Sequence, residues 1–189
     1  DSPAGLPLQR LFFYLQPSTH TLAALDALVV AAGNATGGAL LDVLGTLRQN
    51  GGDRPARVMY EYLWKKAAVP FYEMLTRWVH DGAVDDPFAE FMVAVNESQR
   101  AHHLVDDFNT RYWEERYTVR AAMVPSDLRP CAQQILVAGK YWNVLRSVPG
   151  AAVARDDAAA AAPLVPGLVR ENVRAIEDAF ARAARALLD

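Results

Sequence analysis

Apolar residues recur at spacings of three and four along most of the chain, and hardly any stretch alternates with period two for more than a few residues. Because an α-helix turns once every 3.6 residues, such spacing places the apolar side chains on one face of a helix. The pattern therefore predicts an all-α fold, an irregular elongated bundle of about seven or eight helices.

Prolines and glycines predict where these helices end. Pro17 is expected to end the first helix, and Pro70 to open a new one, because a proline disfavours helical angles at the residue before it and is well suited to a first turn. The other expected helices lie near residues 18–32, 40–47, 58–69, 71–81, 97–119, 128–145 and 169–187. Residues 83–91 are expected to form a turn-rich crossover, and residues 91–93 a short extended piece.

The chain is expected to be one helical unit with a single interruption. Residues 1–148 form the predicted bundle, and residues 168–189 continue it with one further helix. Residues 149–167 mix alanine with proline and glycine, which predicts a surface insertion or linker. The first residue is Asp1, and the last helix has no glycine or asparagine stop, so we expect a piece cut from a longer protein.

Composition narrows the classes of function. A length of 189 residues fits one domain, and 52% apolar with 22% charged residues is typical of globular proteins. The net charge of −3 offers no general attraction for nucleic acid or for an anionic membrane, and no apolar run approaches the roughly 20 residues that cross a bilayer. The single cysteine, Cys131, cannot form an internal disulfide, which favours a reducing, intracellular compartment.

Two groups of residues, each with neighbouring aspartates, are candidate metal sites. His102 and His103 precede Asp106 and Asp107 at helical spacing, but no matching Glu-x-x-His occurs on another predicted helix. We therefore expect a solvated helix face at these four residues rather than a metal ligand set.

The second acidic group, Asp85-Asp86-Pro87, resembles the magnesium-binding box of helical prenyl synthases only superficially. Proline interrupts the face that the box needs, so these aspartates are expected to cap and turn the chain. Cys131 has no nearby histidine and is expected to be a small, half-buried apolar residue. We expect no catalytic, cofactor-binding or metal-binding residues.

Several blocks of residues, in order, resemble the gamma-tubulin complex component family of grip-motif proteins, and its component-two members in particular. The similarity covers roughly residues 6–148 and returns in residues 169–189. Its blocks include residues 8–17, residues 67–75 with Trp78, Asp86-Pro87-Phe88, residues 112–120, and Gly139-Lys140-Tyr141-Trp142-Asn143-Val144. Residues 149–167 depart from the family pattern.

The resemblance implies a non-enzymatic scaffold made of the family's amino-terminal grip motif region. Such regions make lateral contacts with neighbouring components, typically component three, in an assembly that templates microtubule nucleation. The family binds gamma-tubulin through a carboxy-terminal half, which this chain does not contain. The implied location is the cytoplasm and the microtubule organising centre: a centrosome, basal body or spindle pole. The residues of the lateral interface are not identified by the sequence.

Two alternatives remain open on the residues alone. One is a metal-dependent helical enzyme that uses Asp85, Asp86, Asp106 and the neighbouring histidines. The other is a generic helical adaptor that binds amphipathic helices in a groove.

Overall fold

A computed structural model of the protein describes residues 7–96, 110–147 and 163–188. Within these ranges the chain forms six α-helices and a two-stranded antiparallel sheet, which confirms the predicted mainly helical fold. The helices are α1 (Leu8–Ala32), α2 (Gly37–Asn50), α3 (Arg54–Asp81), α4 (Thr110–Arg116), α5 (Ala132–Ser147) and α6 (Val169–Leu188). The strands are β1 (Val93–Val95) and β2 (Tyr117–Val119), with Val93 opposite Val119.

Two of the helix boundaries predicted from proline are wrong. Pro17 lies inside α1, and Pro70 lies inside α3. A proline costs a helix interior about 3 kcal/mol, yet Ala68 and Phe71 are buried on either side of Pro70, and burial of one continuous face outweighs that cost. The described ranges consequently hold fewer, longer helices than the seven or eight expected.

The ends of α3 follow the local chemistry of the sequence. The Asp53 carboxylate accepts a hydrogen bond from the Ala56 amide at 3.0 Å and so caps the first turn. Gly82 adopts left-handed angles, and its amide donates to the Trp78 carbonyl at 2.8 Å. The predicted helix end at Gly82 is confirmed.

The core lies around α3, which packs against α1, α2, α5 and α6. Fully buried side chains come from α3, α5, α6 and the segments between α3 and α5. They include Leu75, Trp78, Val79, Phe91, Met92, Leu128, Ile135 and Ile176. Burial of each large apolar side chain stabilises the fold by about 1.5 to 3 kcal/mol, so this shared core holds α5 and α6 to α3.

The helix predicted to run to Val119 ends at Arg116. Residues 117–119 form β2 instead, pairing with β1 directly after Phe91 and Met92, in the region where a short extended piece was expected. Tyr117 is buried against Trp78, with ring centroids 5.0 Å apart, and tertiary packing of this kind overrides helical periodicity. Residues 97–109 of the same predicted helix lie outside the described residues.

A short 3-10 segment, Ser126–Cys131, leads into α5, where the contact with α3 is tightest. The Trp78 indole lies against Gly139 and donates to the Ile135 carbonyl at 2.8 Å. Asn143 donates to the Gly82 carbonyl at 2.7 Å and accepts from the Tyr117 hydroxyl at 3.1 Å. The Gly139–Asn143 block, which contributes to the family resemblance, therefore fixes the position of α5 against α3 and β2.

The predicted insertion at residues 149–167 lies largely outside the described residues. Its described end begins at Pro163, where Leu164 is buried in the core and its amide donates to the Thr76 hydroxyl at 3.2 Å. Val165 exchanges two hydrogen bonds with the Asn172 side chain at the start of α6. The boundaries of the insertion stay a prediction, but the residues next to α6 pack as part of the bundle.

Candidate interaction surface

Helix α1 exposes most of its apolar side chains. It has no buried residue, and its first half contains no half-buried one either. Phe12 is 69% exposed and Leu8 is 81% exposed, although large apolar side chains in helices normally face a core. The other exposed large apolar residues of α1 are Leu11, Phe13, Tyr14, Leu15, Leu22, Val29 and Val30.

The contacts that hold α1 lie toward its second half. Ala24 and Leu28 are half-buried, and the Ala24 carbonyl accepts a hydrogen bond from the Tyr60 hydroxyl of α3 at 2.9 Å. His20 approaches the Asp53 carboxylate, with Nδ1 4.0 Å from Oδ2. The described first half of α1 has no buried or half-buried residue, so it presents apolar groups to solvent.

A cleft separates α1 from the first turns of α3. Its volume is about 450 Å³. Apolar side chains line most of it, with His20 and Asp53 as its charged or titratable lining groups. The lining residues are Phe13, Tyr14, Gln16, Pro17, His20, Thr21, Ala24, Asp53, Pro55, Ala56 and Met59. A cleft of this composition suits an apolar side chain or the apolar face of a helix.

The exposed apolar area is large enough for a stable protein contact. An aromatic side chain presents about 150 to 250 Å², so the nine exposed apolar residues of α1 offer on the order of 1,000 Å², comparable with the ≈ 800 Å² that one partner contributes to a standard interface. Exposed apolar patches of more than a few hundred square ångströms mark sites of association. We therefore identify α1 and its cleft as the candidate interaction surface.

The apolar spacing predicted an apolar helix face over these residues without showing what covers it, and the structure places the apolar residues of α1 at the surface. A signal was present in the sequence, because only Arg10, His20 and Asp26 in the 25 residues of α1 are charged or titratable at neutral pH. A helix that is apolar around most of its circumference must be covered on more than one side, and α2 and α3 cover only one.

Asp86 forms a turn, as the sequence predicted for the acidic group at residues 85–86. Its side chain is almost fully buried; one carboxylate oxygen accepts from the Glu90 amide at 2.8 Å, and the other from the Phe91 amide at 3.0 Å and from Arg120 at 3.0 Å. Asp85 is exposed and lies 3.7 Å from Arg77. The Asp86 carboxylate accepts three hydrogen bonds from the protein, so the structure gives it a structural role.

The other metal-site candidates fall in a part of the chain that the structure does not describe. His102, His103, Asp106 and Asp107 lie outside the described residues, and those that are described include no cluster of three histidine, cysteine or acidic residues that could hold an ion. Nor do the described helices include one long and apolar enough to span a membrane.

Cys131 is buried more deeply than the half-buried position expected from the sequence. Its thiol donates to the Leu128 carbonyl at 3.4 Å, and burial raises the pKa of the thiol above its ordinary value. A raised pKa keeps the sulfur protonated and weakly nucleophilic, which is typical of a structural cysteine.

Comparison with known proteins places these features in a family. The family model described as "Gamma tubulin complex component N-terminal" matches residues 1–189. The chain is 36% identical over 189 residues to gamma-tubulin complex component 2 of Mus musculus, covering 97% of this chain and 20% of that protein. It is 38% identical over 100 residues to spindle pole body component alp4 of Schizosaccharomyces pombe, covering 53% of this chain and 13% of that protein.

Similarity also extends to another component. The chain is 27% identical over 146 residues to gamma-tubulin complex component 3 of Homo sapiens, covering 77% of this chain and 15% of that protein. Measured against these three relatives, the chain spans about a fifth of their length or less.

Proposed function

Because this chain belongs to the gamma-tubulin complex component N-terminal family, we propose that it is the lateral-contact region of a gamma-tubulin complex scaffold subunit. The resemblance inferred from ordered blocks of sequence, including its leaning toward component two, is confirmed by the family match and by the component 2 relative. The proposed role is to stand beside neighbouring components and to help template microtubule nucleation.

The observation that carries the proposal is the family match along the whole chain. The exposed apolar surface of α1 adds physical support, because large exposed apolar surfaces mark sites of association.

Rigidity of the bundle fits a scaffold. In a heterologous array, the angle and rise between neighbours decide whether the array closes or spirals. The buried Trp78, Gly139 and Asn143 contacts fix α5 against α3 without a gap, so a contact made on one helix is held at a constant angle to the others. The proposed role needs no covalent chemistry.

The proposed lateral partner is component three, since a component 3 protein is itself a relative over most of this chain. The proposed contact with gamma-tubulin uses a carboxy-terminal half outside the 189 residues. The proposed location is the microtubule organising centre, in keeping with the spindle pole body relative. Nucleic acid and membrane are not among the proposed partners.

The test is co-purification of the full-length protein with component three and gamma-tubulin, followed by sedimentation. We expect one large complex that contains all three proteins. Migration of the full-length protein apart from both would refute the proposal. Deleting this region should release component three and leave binding of gamma-tubulin to the remaining half intact, which separates lateral contact from gamma-tubulin binding.

A helical adaptor is the second candidate function, and the cleft between α1 and α3 favours it. An amphipathic helix of a small partner would fill the apolar cleft. The two candidates differ in what binds: a short helical peptide should compete for an adaptor, whereas a scaffold contact needs the folded neighbour. The metal-dependent enzyme draws no support from the described acidic residues, because Asp86 is occupied by Arg120 and two amides.

A further inference from the structure

Residues 85–91, called here the Asp86 turn, connect the end of α3 to β1 and carry Phe88 to the surface. Phe88 is 82% exposed, whereas Phe91, three residues later, is fully buried and packs on Phe71 with ring centroids 5.5 Å apart. Burial of an exposed phenyl ring would lower the free energy by about 1.5 to 3 kcal/mol. The turn therefore holds one aromatic ring inside the fold and another outside it.

The Asp86 turn is held rigidly from within. The Asp86 carboxylate accepts from the Glu90 and Phe91 amides, and the Asp86 carbonyl accepts from the Ala89 amide at 3.3 Å. Arg120 joins the turn to the sheet, because its guanidinium binds both the Asp86 carboxylate at 3.0 Å and the Phe91 carbonyl at 3.1 Å. Charge-assisted hydrogen bonds of this kind are about twice as strong as neutral ones.

The Asp86 turn also packs closely against the start of α2. Gly37 has no side chain, and a Cβ placed there would lie 2.0 Å from the Glu90 carbonyl oxygen. This close approach fixes the turn against α2, while burial of Phe91 fixes its exit into β1. The conformation of the turn is therefore determined at both ends by the bundle.

Ala89 shows that this conformation is imposed. Its φ of 58° makes it the one non-glycine residue with positive φ in the described part of the chain. A left-handed angle costs an alanine about 1 to 2 kcal/mol. Such strain persists where the surrounding structure over-determines the backbone, and it concentrates at functional sites.

We propose that Phe88 is a preformed anchor of the lateral contact and inserts into an apolar pocket of the neighbouring gamma-tubulin complex component; this rests on the proposed function. Aromatic side chains dominate the binding energy of protein interfaces. Because the turn is rigid before binding, little conformational entropy is lost when the ring enters a pocket. Glu90 follows Phe88 by two residues, while Asp85 already lies 3.7 Å from Arg77, so the negative charge of Glu90 favours a pocket with a cationic or hydrogen-bond-donating rim rather than an acidic one.

The experiment measures binding of full-length protein to purified component three at one fixed salt concentration. Phe88→Ala should weaken binding by about tenfold or more, the loss typical of an aromatic anchor, while thermal melting stays unchanged because the ring makes no core contact. Phe88→Leu keeps apolar bulk and should retain most of the affinity. Tyr62→Ala, which removes an exposed aromatic ring from α3, is the matched control and should bind within about twofold of wild type.

Two results would overturn the proposal. One refutes the Phe88 anchor alone, and the other refutes the proposed function as well. If wild type binds component three and Phe88→Ala binds as tightly as Tyr62→Ala, Phe88 is not an anchor, although the proposed lateral contact stands. If wild-type protein does not bind component three at all, both the anchor and the proposed function fail. A loss of binding in Phe88→Ala together with an unchanged melting temperature supports the anchor.

Discussion

Gly139→Ala is the substitution that tests most directly how α3 and α5 fit together. Gly139 lies on α5 where the buried Trp78 ring of α3 crosses it. A Cβ at this position would lie 2.0, 2.3 and 2.4 Å from three atoms of the indole ring, well inside van der Waals contact. The ring can retreat only by weakening the hydrogen bond from its Nε1 to the Ile135 carbonyl.

The magnitude follows from three opposing contributions. Alanine is favoured over glycine in a helix interior by about 1 kcal/mol. Overpacking of a close-packed core costs about 1 to 3 kcal/mol, and loss of a buried hydrogen bond costs about 1 to 3 kcal/mol more. The two costs together exceed the gain in helix propensity, and we expect Gly139→Ala to lower the free energy of unfolding by about 1 to 5 kcal/mol.

Gly45→Ala is the matched control. Gly45 is also inside a helix, α2, but the nearest atom to its added Cβ is the Trp64 Nε1 at 4.0 Å, which is ordinary contact. This variant should therefore gain up to about 1 kcal/mol. Urea unfolding followed by circular dichroism compares the two variants with wild type at equal m-values. Equal or greater stability of Gly139→Ala, or an equal loss in Gly45→Ala, would refute the packing argument.

Two further predictions concern buried titratable groups. Burial, aided by the nearby Asp127 and Cys131, raises the pKa of Tyr72 from 10.0 to about 12, so the unfolded chain loses this proton first as pH rises. Stability should therefore fall as pH rises from 10 toward 12, by about 1.4 kcal/mol at pH 11, and Tyr72→Phe should lack this part of the dependence in urea titrations. The same slope in Tyr72→Phe and wild type would contradict it. Cys131 should react slowly with a disulfide reagent until urea unfolds the chain, whereas rapid reaction in native buffer would show that the thiol is accessible.

Much of the fold could be predicted because its signals are local. Gly82 and Gly33 follow the last turns of α3 and α1, as glycine's freedom at left-handed and other unusual angles predicts. The three-four apolar spacing of α6 predicted a single helix, which the structure confirms from Val169 to Leu188. The turn at Asp86 was likewise expected, because short acidic side chains accept hydrogen bonds from nearby amides.

The errors share a different cause. Pro17 and Pro70 were expected to break helices. At Pro70, burial of the neighbouring turns of α3 outweighs the cost of one proline, whereas α1 has no buried residue and its packing does not explain why the helix continues through Pro17. Residues 117–119 have helical spacing, and they form a strand because β1 lies beside them and Tyr117 packs on Trp78. The helix through Pro70 and the strand at residues 117–119 depend on contacts with residues distant in sequence, so local sequence patterns do not predict them.

For the candidate interaction surface too, the sequence predicted helical structure but not which apolar faces are exposed. Apolar periodicity predicted helical structure on both sides of Pro17 and of Pro70, but the same periodicity occurs in the buried α3 and in the exposed α1. An apolar helix face indicates that another apolar surface must cover it. Whether this chain provides that surface depends on the arrangement of its other helices. The sequence alone predicted the helical class of the fold, several helix ends and the family resemblance, although not every helix boundary. Tertiary structure decided which apolar faces stay uncovered, because burial depends on what lies across from each face in space.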